Sequence, residues 1–189
     1  VIYSIIQLGE QINCVTGNHE AILVSGMFNL QKESVYQHIA TKGQTTDELL
    51  SLIQTWPRHI ESEHPAGSAL YIHGSPNDYS NEYVFSDTDL KKFSVSQSFV
   101  FMGHTHRPFI KRVGATTYVN VGSCGLPRDH GAYGSAALFD ERLGEIQLIR
   151  FDIKSLTQNW LQNFEYVHVS IYSLLNRKNE KLEGIIIDE

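Results

Sequence analysis

The sequence contains few of the features that mark disulfide scaffolds, membrane proteins or basic nucleic-acid-binding proteins. Its 189 residues include only two cysteines, Cys14 and Cys124, which do not form a C-x-x-C pair. A disulfide framework is therefore not expected, and a reducing, cytoplasmic location is predicted. No apolar run approaches the ~18 residues that a membrane-spanning helix needs, so no membrane partner is expected.

The chain also lacks any block of basic residues. It carries 15 lysines and arginines against 21 aspartates and glutamates, which gives a formal net charge of −6. Bulk binding of nucleic-acid backbones is therefore not expected. A small polyanionic substrate would need local positive charge, which a bound metal could supply. Nothing in the composition decides between a monomer and a homo-oligomer.

Helical patterns dominate the first part of the chain and strand patterns dominate the rest. Helices are predicted over residues 1–8, from 21 to about 39 with a break near Gly26, from 47 to 56 with Thr45 or Thr46 as the cap, and over 152–164. Strands are predicted at 12–15, 69–74, 98–103, 108–113, 116–122, 135–140 and 145–151. This order predicts a mixed α/β architecture with more than one sheet layer.

Three of the predicted strands end in a glycine-containing turn that carries histidine: "INCVTGNHE", "ALYIHGSP" and "FVFMGHTH". The side chains that follow these strands are Asn18 and His19, His73, and His104 and His106. In open α/β sheets, ligand sites form just beyond the carboxyl ends of the strands, and glycine there lets the backbone approach a ligand closely. The pattern therefore predicts one crevice that receives four imidazoles and one amide.

Each cluster alone has an ordinary explanation. "GNHE" is typical of a helix start, where Asn18 would cap and Glu20 would favour the positive helix end. His73 alone is typical of a polar residue at a strand end. His104 and His106 have a metal-ligand spacing, because residues two apart on extended backbone share a face. The three clusters in this order favour a metal site over three independent explanations.

Several other side chains have weaker claims. His38, His59, His64 and His168 are expected on the surface or in the core, and His130 lies in a loop that could border the crevice. Arg107 and Arg128 could contact a phosphate, although a solvated side chain is the simpler expectation for each. Tyr79, Tyr83 and Phe85 could stack on a base or an aryl group, but packing is the simpler expectation for each.

The motifs "GNHE" (17–20), "HG" (73–74) and "GHTH" (103–106) resemble the later motifs of the calcineurin-like metallophosphoesterases. The stretch "GSCGLPRD" (122–129) is similar to a "GS-x-G-x-PRD" segment of the YfcE-like bacterial branch. The resemblance covers roughly residues 1–165, taken as the metallophosphoesterase domain, with 166–189 as a C-terminal extension of it. It implies a four-layer α/β/β/α sandwich.

The resemblance also implies a site and an activity. Asn18, His73 and His104 would bind one divalent metal ion, His106 would bind a second, and His19 would protonate the leaving group. Mn²⁺ is the first expectation for both ions, with Fe, Zn²⁺ or Ni²⁺ as alternatives. The implied reaction is hydrolysis of a phosphomonoester or phosphodiester by a metal-activated hydroxide.

The sequence departs from the family in one respect. The family's D-x-H and G-D-x-x-D motifs, which supply carboxylate ligands, are not found, and we expect a preceding segment to carry them. The remaining ligands are neutral, whereas two divalent ions about 3.5–4 Å apart need carboxylates between them. The alternative is a non-catalytic protein that keeps the metallophosphoesterase fold as a scaffold or binding surface and holds at most one ion.

Overall fold

The computed structural model describes residues 12–163 and 166–187, so the helix predicted over 1–8 lies outside the described residues. The helices are α1 (Asn18–Ser25), α2 (Glu33–Tyr36), α3 (His38–Gln44), α4 (Asp47–Thr55), α5 (Lys154–Gln162) and α6 (Val169–Leu175). The strands are β1 (His59–His64), β2 (Gly67–Ile72), β3 (Phe99–Met102), β4 (Phe109–Val113), β5 (Thr116–Asn120), β6 (Tyr133–Asp140), β7 (Glu145–Asp152) and β8 (Ile185–Ile187).

The described strands form two sheets. The larger has the order β1-β2-β3-β5-β4, in which β2, β3 and β5 are parallel and the edge strands β1 and β4 are antiparallel to their neighbours. The smaller has the order β6-β7-β8, and its β8 runs parallel to β7. Because β2 and β3 are adjacent and parallel, their carboxyl ends lie at the same sheet edge.

The hydrophobic core covers both faces of the larger sheet. β3 is buried at all four positions, which explains why its sequence is a continuous apolar run. Phe99 and Phe101 face the smaller sheet and pack near Leu148, whereas Val100 and Met102 belong to the cluster on the opposite face. This packing of one sheet on another, with helices around them, confirms the predicted α/β sandwich.

Most predicted elements are confirmed with small shifts in their bounds. The six strands predicted from residue 69 onward are present as β2 to β7, and the helix predicted over 152–164 is α5. The helix predicted at 47–56 is α4, and the Thr46 side chain caps it by accepting from the Leu49 amide. The longest helices in the described part of the chain have nine residues, and none there is long and apolar enough to span a membrane.

Two predictions of secondary structure were wrong. Residues 12–15 form no strand, because no described strand pairs with them, although the adjacent Thr16 amide donates to the Pro57 carbonyl. The helix predicted over 21–39 is interrupted twice: at Gly26, as expected, and again at Gln37, where φ is 50°. Two strands were missed, the polar edge strand β1 and the short strand β8.

Candidate active site

The carboxyl edge of the larger sheet brings three of the predicted site residues together. His73 follows β2, His104 follows β3, and Asn18 is the first residue of α1. His73 Nε2 lies 2.8 Å from Asn18 Oδ1 and 3.0 Å from His104 Nδ1. Residues that are 55 and 31 positions apart in sequence therefore converge on one point.

The start of α1 explains why Asn18 is free to join this cluster. Gly17 is the N-cap residue, and its amide donates to Glu20 Oε2 over 3.1 Å. Asn18 lies inside the helix, so the alternative explanation for "GNHE", in which the Asn18 side chain caps α1, does not apply. A Cβ at Gly17 would lie 2.7 Å from Glu20 Oε2 and 3.0 Å from His73 Nδ1, so glycine permits this close approach.

Backbone hydrogen bonds fix the turn that carries His73. The amides of His73 and Gly74 both donate to the Tyr79 carbonyl, over 3.1 and 2.7 Å, which folds the segment after β2 back on itself. The Gly103 amide donates to the His73 carbonyl over 3.0 Å. The ends of β2 and β3 are thus joined directly at the site.

The "GHTH" turn has an unusual backbone. His104 and His106 have φ values of 62° and 57°, in the left-handed region that costs an L-residue about 1–2 kcal/mol. The expectation that the pair shares a face of extended backbone was therefore wrong: both residues lie past the end of β3, in a strained turn. Such strain persists where the surrounding structure holds it, often at functional sites.

Hydrogen bonds to carbonyls fix the tautomers of these two rings. His104 Nε2 donates to the Asn81 carbonyl over 3.0 Å, and His106 Nδ1 donates to the Leu126 carbonyl over 2.7 Å. The other ring nitrogen of each histidine therefore carries a lone pair. These atoms are His104 Nδ1, which faces His73, and His106 Nε2. This is the arrangement that metal-binding histidines generally show.

His19 has a partner that the sequence did not indicate. Its Nδ1 lies 2.7 Å from His38 Nε2, and the ring of Tyr36 meets it edge-on at 5.0 Å. His38 is 5% exposed, and the Glu33 carboxylate accepts from its amide over 3.1 Å. His38 was expected only as a surface or core residue, and no sequence spacing links it to His19.

The comparisons with known proteins identify the family. A sequence model described as Calcineurin-like phosphoesterase superfamily domain matches residues 2–143. The chain belongs to this superfamily. It is 28% identical over 181 residues to the uncharacterized protein MJ0912 of Methanocaldococcus jannaschii, covering 84% of this chain and 74% of that protein.

Two solved structures show the same calcineurin-like fold. The metallophosphoesterase from Sphaerobacter thermophilus has a TM-score of 0.71 at 19% identity, covering 91% of this chain and 79% of that one. The hypothetical protein PH1004 from Pyrococcus horikoshii has a TM-score of 0.76 at 12% identity, covering 95% of this chain and 79% of that one. At these identities the likeness shows the fold alone.

Calcineurin-like phosphoesterases generally bind divalent metals. Two ligand atoms about 2.1 Å from an ion and about 90° apart lie about 3.0 Å from each other. The separations of 2.8 and 3.0 Å among Asn18, His73 and His104 match this geometry. Within residues 12–163 and 166–187, no three histidines, cysteines or carboxylates are grouped to hold a metal. The atoms that meet in the cluster are an amide oxygen and two imidazole nitrogens.

The histidines in and around this cluster are held neutral. Burial, reinforced by the neighbouring rings, lowers the pKa of His73 and of His19 from the ordinary 6.5 to about 4. Burial also lowers the pKa values of His104 and His106, although their hydrogen bonds to carbonyls oppose the shift. Neutral imidazoles are the form that binds metal ions, so at neutral pH no proton needs to be displaced from these rings.

The remaining predicted residues have other contacts. Arg107 lies over the Phe85 ring at 5.9 Å, and His130 Nδ1 accepts from the Ala132 amide within its own loop. Tyr83 stacks on His104 with ring centroids 4.1 Å apart, and it is itself stacked parallel to Phe85.

Proposed function

We propose that this protein is a metal-dependent phosphoesterase that hydrolyses a phosphomonoester or phosphodiester. The observation that carries the proposal is the convergence of Asn18 Oδ1 and His104 Nδ1 on His73 Nε2, at 2.8 and 3.0 Å, at the carboxyl edge of the larger sheet. Membership of the calcineurin-like superfamily supports the same class of reaction.

Asn18, His73 and His104 would hold one divalent ion, and His106, through Nε2, would contribute to a second. Mn²⁺ is the ion we expect first. Divalent ions held there supply Lewis-acid activation of the phosphoryl group and of the attacking water. Carboxylate ligands for the second ion are not grouped with these histidines in the described part of the chain.

His19 acts as the general acid in this proposal. Its Nδ1 is engaged by His38, so Nε2 is the atom that delivers a proton to the departing oxygen. The imidazole is neutral in the free protein because its pKa is about 4. A bound phosphate ester is anionic and favours the protonated imidazolium, because an opposite charge nearby stabilises the charged form.

The proposed substrate is a small phosphate ester or a nucleotide. Tyr83 and Phe85 are 45% and 38% exposed, and their rings are parallel within 3° at 5.9 Å. Because Tyr83 also stacks on His104, this pair offers a flat aromatic surface beside the site for a base or an aryl group. A cytoplasmic location stays a prediction from composition, which does not decide between a monomer and a homo-oligomer.

Turnover by the full-length protein tests the proposal. We expect Mn²⁺-dependent hydrolysis of 4-nitrophenyl phosphate or bis(4-nitrophenyl) phosphate. His73→Ala should lower the rate of this hydrolysis about 10²-fold or more. The matched control is His59→Ala, because His59 is exposed and contacts the ring of Tyr79 instead. If the intact protein neither binds metal nor hydrolyses these esters in a metal-dependent reaction, the scaffold alternative is favoured.

A further inference from the structure

Among the described residues, Arg128 presents a cation without an ion-pair partner beside the histidine cluster. We propose that its guanidinium binds the phosphoryl oxygens of the substrate. This inference rests on the proposed phosphoesterase function, and it assigns a specific substrate contact to a residue outside the metal-ligand set.

Two hydrogen bonds attach the Arg128 loop to the site. The Arg128 amide donates to the His106 carbonyl over 3.0 Å. Two residues earlier, the Leu126 carbonyl accepts from His106 Nδ1 over 2.7 Å. The backbone on both sides of Pro127 is therefore fixed against His106, which places Arg128 next to the cluster.

A buried ion pair holds the other side of the same loop. Arg150 is fully buried and binds both carboxylate oxygens of Asp129, at 2.5 and 3.1 Å, as well as the Tyr133 and Gly134 carbonyls. This pairing also occupies the carboxylate that is adjacent to Arg128 in sequence. Asp129 therefore fixes the loop through Arg150, and its carboxylate is paired with Arg150 and not with Arg128.

The Arg128 side chain itself lacks a protein partner in the described part of the chain. Its Nε is buried without a hydrogen-bond acceptor, and its guanidinium forms no ion pair there. Burial is the main cause of the lowered pKa values of His19, His104 and His106, and the charge of Arg128 adds to it, which agrees with a position close to these three rings. A buried donor without an acceptor is costly, and an anion bound at the cluster would supply one.

The chemistry of the ligand follows from the group. A guanidinium presents a planar fork of N–H donors that matches two oxygens of a phosphate. The imidazoles of the site are neutral, and Arg128 is a protein cation whose charge acts on three of them, whereas Arg107 lies over the Phe85 ring. A phosphomonoester dianion carries more negative charge than a diester, so the contact favours monoesters.

The test uses the full-length Mn²⁺-loaded protein and three variants: Arg128→Ala, Arg128→Lys and the control Arg142→Ala. Arg142 is exposed in the β6–β7 turn, away from the histidine-bearing turns. For 4-nitrophenyl phosphate, Arg128→Ala should lower kcat/KM about 10²-fold, Arg128→Lys less, and Arg142→Ala by no more than about twofold. The loss for bis(4-nitrophenyl) phosphate should be smaller, and added guanidinium should restore part of the Arg128→Ala activity.

Two results for Arg128→Ala would overturn the proposal. One is an equal loss of kcat/KM on both esters without rescue by guanidinium, and the other is a change in kcat/KM of no more than about twofold. Calorimetric titration with inorganic phosphate separates this inference from the proposed function. If the wild-type protein binds phosphate and Arg128→Ala weakens that binding about tenfold or more, the contact stands even without turnover. Phosphate binding that is absent, or unchanged in Arg128→Ala, would refute it.

Discussion

His19 Nδ1 lies 2.7 Å from His38 Nε2, and His38 is almost entirely buried. The contact fixes the His19 ring and leaves its Nε2 for proton transfer. When Nδ1 carries a proton, His38 Nε2 accepts it in a hydrogen bond, which stabilises the imidazolium that a general acid requires.

The first prediction concerns this pair. His38→Phe should slow hydrolysis of phenyl phosphate about tenfold more than hydrolysis of 4-nitrophenyl phosphate, because the poorer leaving group depends more on protonation. His38→Gln should keep most of the activity on both esters, since its amide can replace the hydrogen bond. Steady-state kcat on the two esters measures this. Equal slowing of both by His38→Phe would mean that His38 has only a packing role.

The second prediction concerns the strained turn at His106. Because φ is 57° there, His106→Gly should be more stable than His106→Ala by about 1 kcal/mol, the reverse of the usual order. Both substitutions remove the imidazole and its bond to Leu126, so the difference isolates the backbone. Urea unfolding of the metal-free proteins measures it, and greater stability of the alanine variant would show that the backbone is not left-handed.

The third prediction concerns pH. His19 and His73 have pKa values of about 4 in the folded protein against an ordinary 6.5, so between these values the unfolded chain binds more protons. The stability of the metal-free protein should therefore be fully present above about pH 6.5 and decline as the pH falls through that window.

Urea unfolding between pH 7 and about 5 keeps the test largely above the carboxylate range. His73→Gln should flatten the slope, because one titrating group is removed, whereas the exposed His59→Gln should leave the slope unchanged. A stability that does not change over this range would contradict the burial of these imidazoles.

The fourth prediction compares two glycines. A Cβ at Gly17 would meet Glu20 Oε2 and His73 Nδ1, but the nearest atoms to a Cβ at Gly103 are 3.9 Å away. Gly17→Ala should therefore displace His73 and lower Mn²⁺ affinity and kcat/KM about tenfold or more, and Gly103→Ala should cost much less. Metal titration and kinetics on both variants decide this, and a larger loss in Gly103→Ala would contradict the packing at Gly17.

The strand ends could be predicted from sequence because their signal is local. An apolar run followed by glycine and histidine marks the end of β3 directly, and His73 after β2 follows the same pattern. The contact between His19 and His38 could not be predicted, because it depends on the packing of α1 against α3. β1 was not predicted because "HIESEH" is an edge strand without an apolar face.

The position of Asn18 could be predicted from sequence, but the contact that its side chain makes could not. Its position at a helix start favoured capping, and only the three-dimensional structure shows that the Gly17 amide bonds to Glu20 instead. The arrangement of the Arg128 loop could not be predicted either. Its hydrogen bond to His106 and the pairing of Asp129 with Arg150 join residues that are far apart in sequence. Residue types at strand ends indicated the chemistry, and tertiary packing determined which side chains meet.

An anomalous difference map from crystals of the Mn²⁺-loaded full-length protein tests the central claim most directly. We predict a Mn²⁺ peak roughly 2.0–2.3 Å from each of Asn18 Oδ1, His73 Nε2 and His104 Nδ1. A fully loaded protein whose Mn²⁺ lies elsewhere, with no peak among these three atoms, would contradict the account.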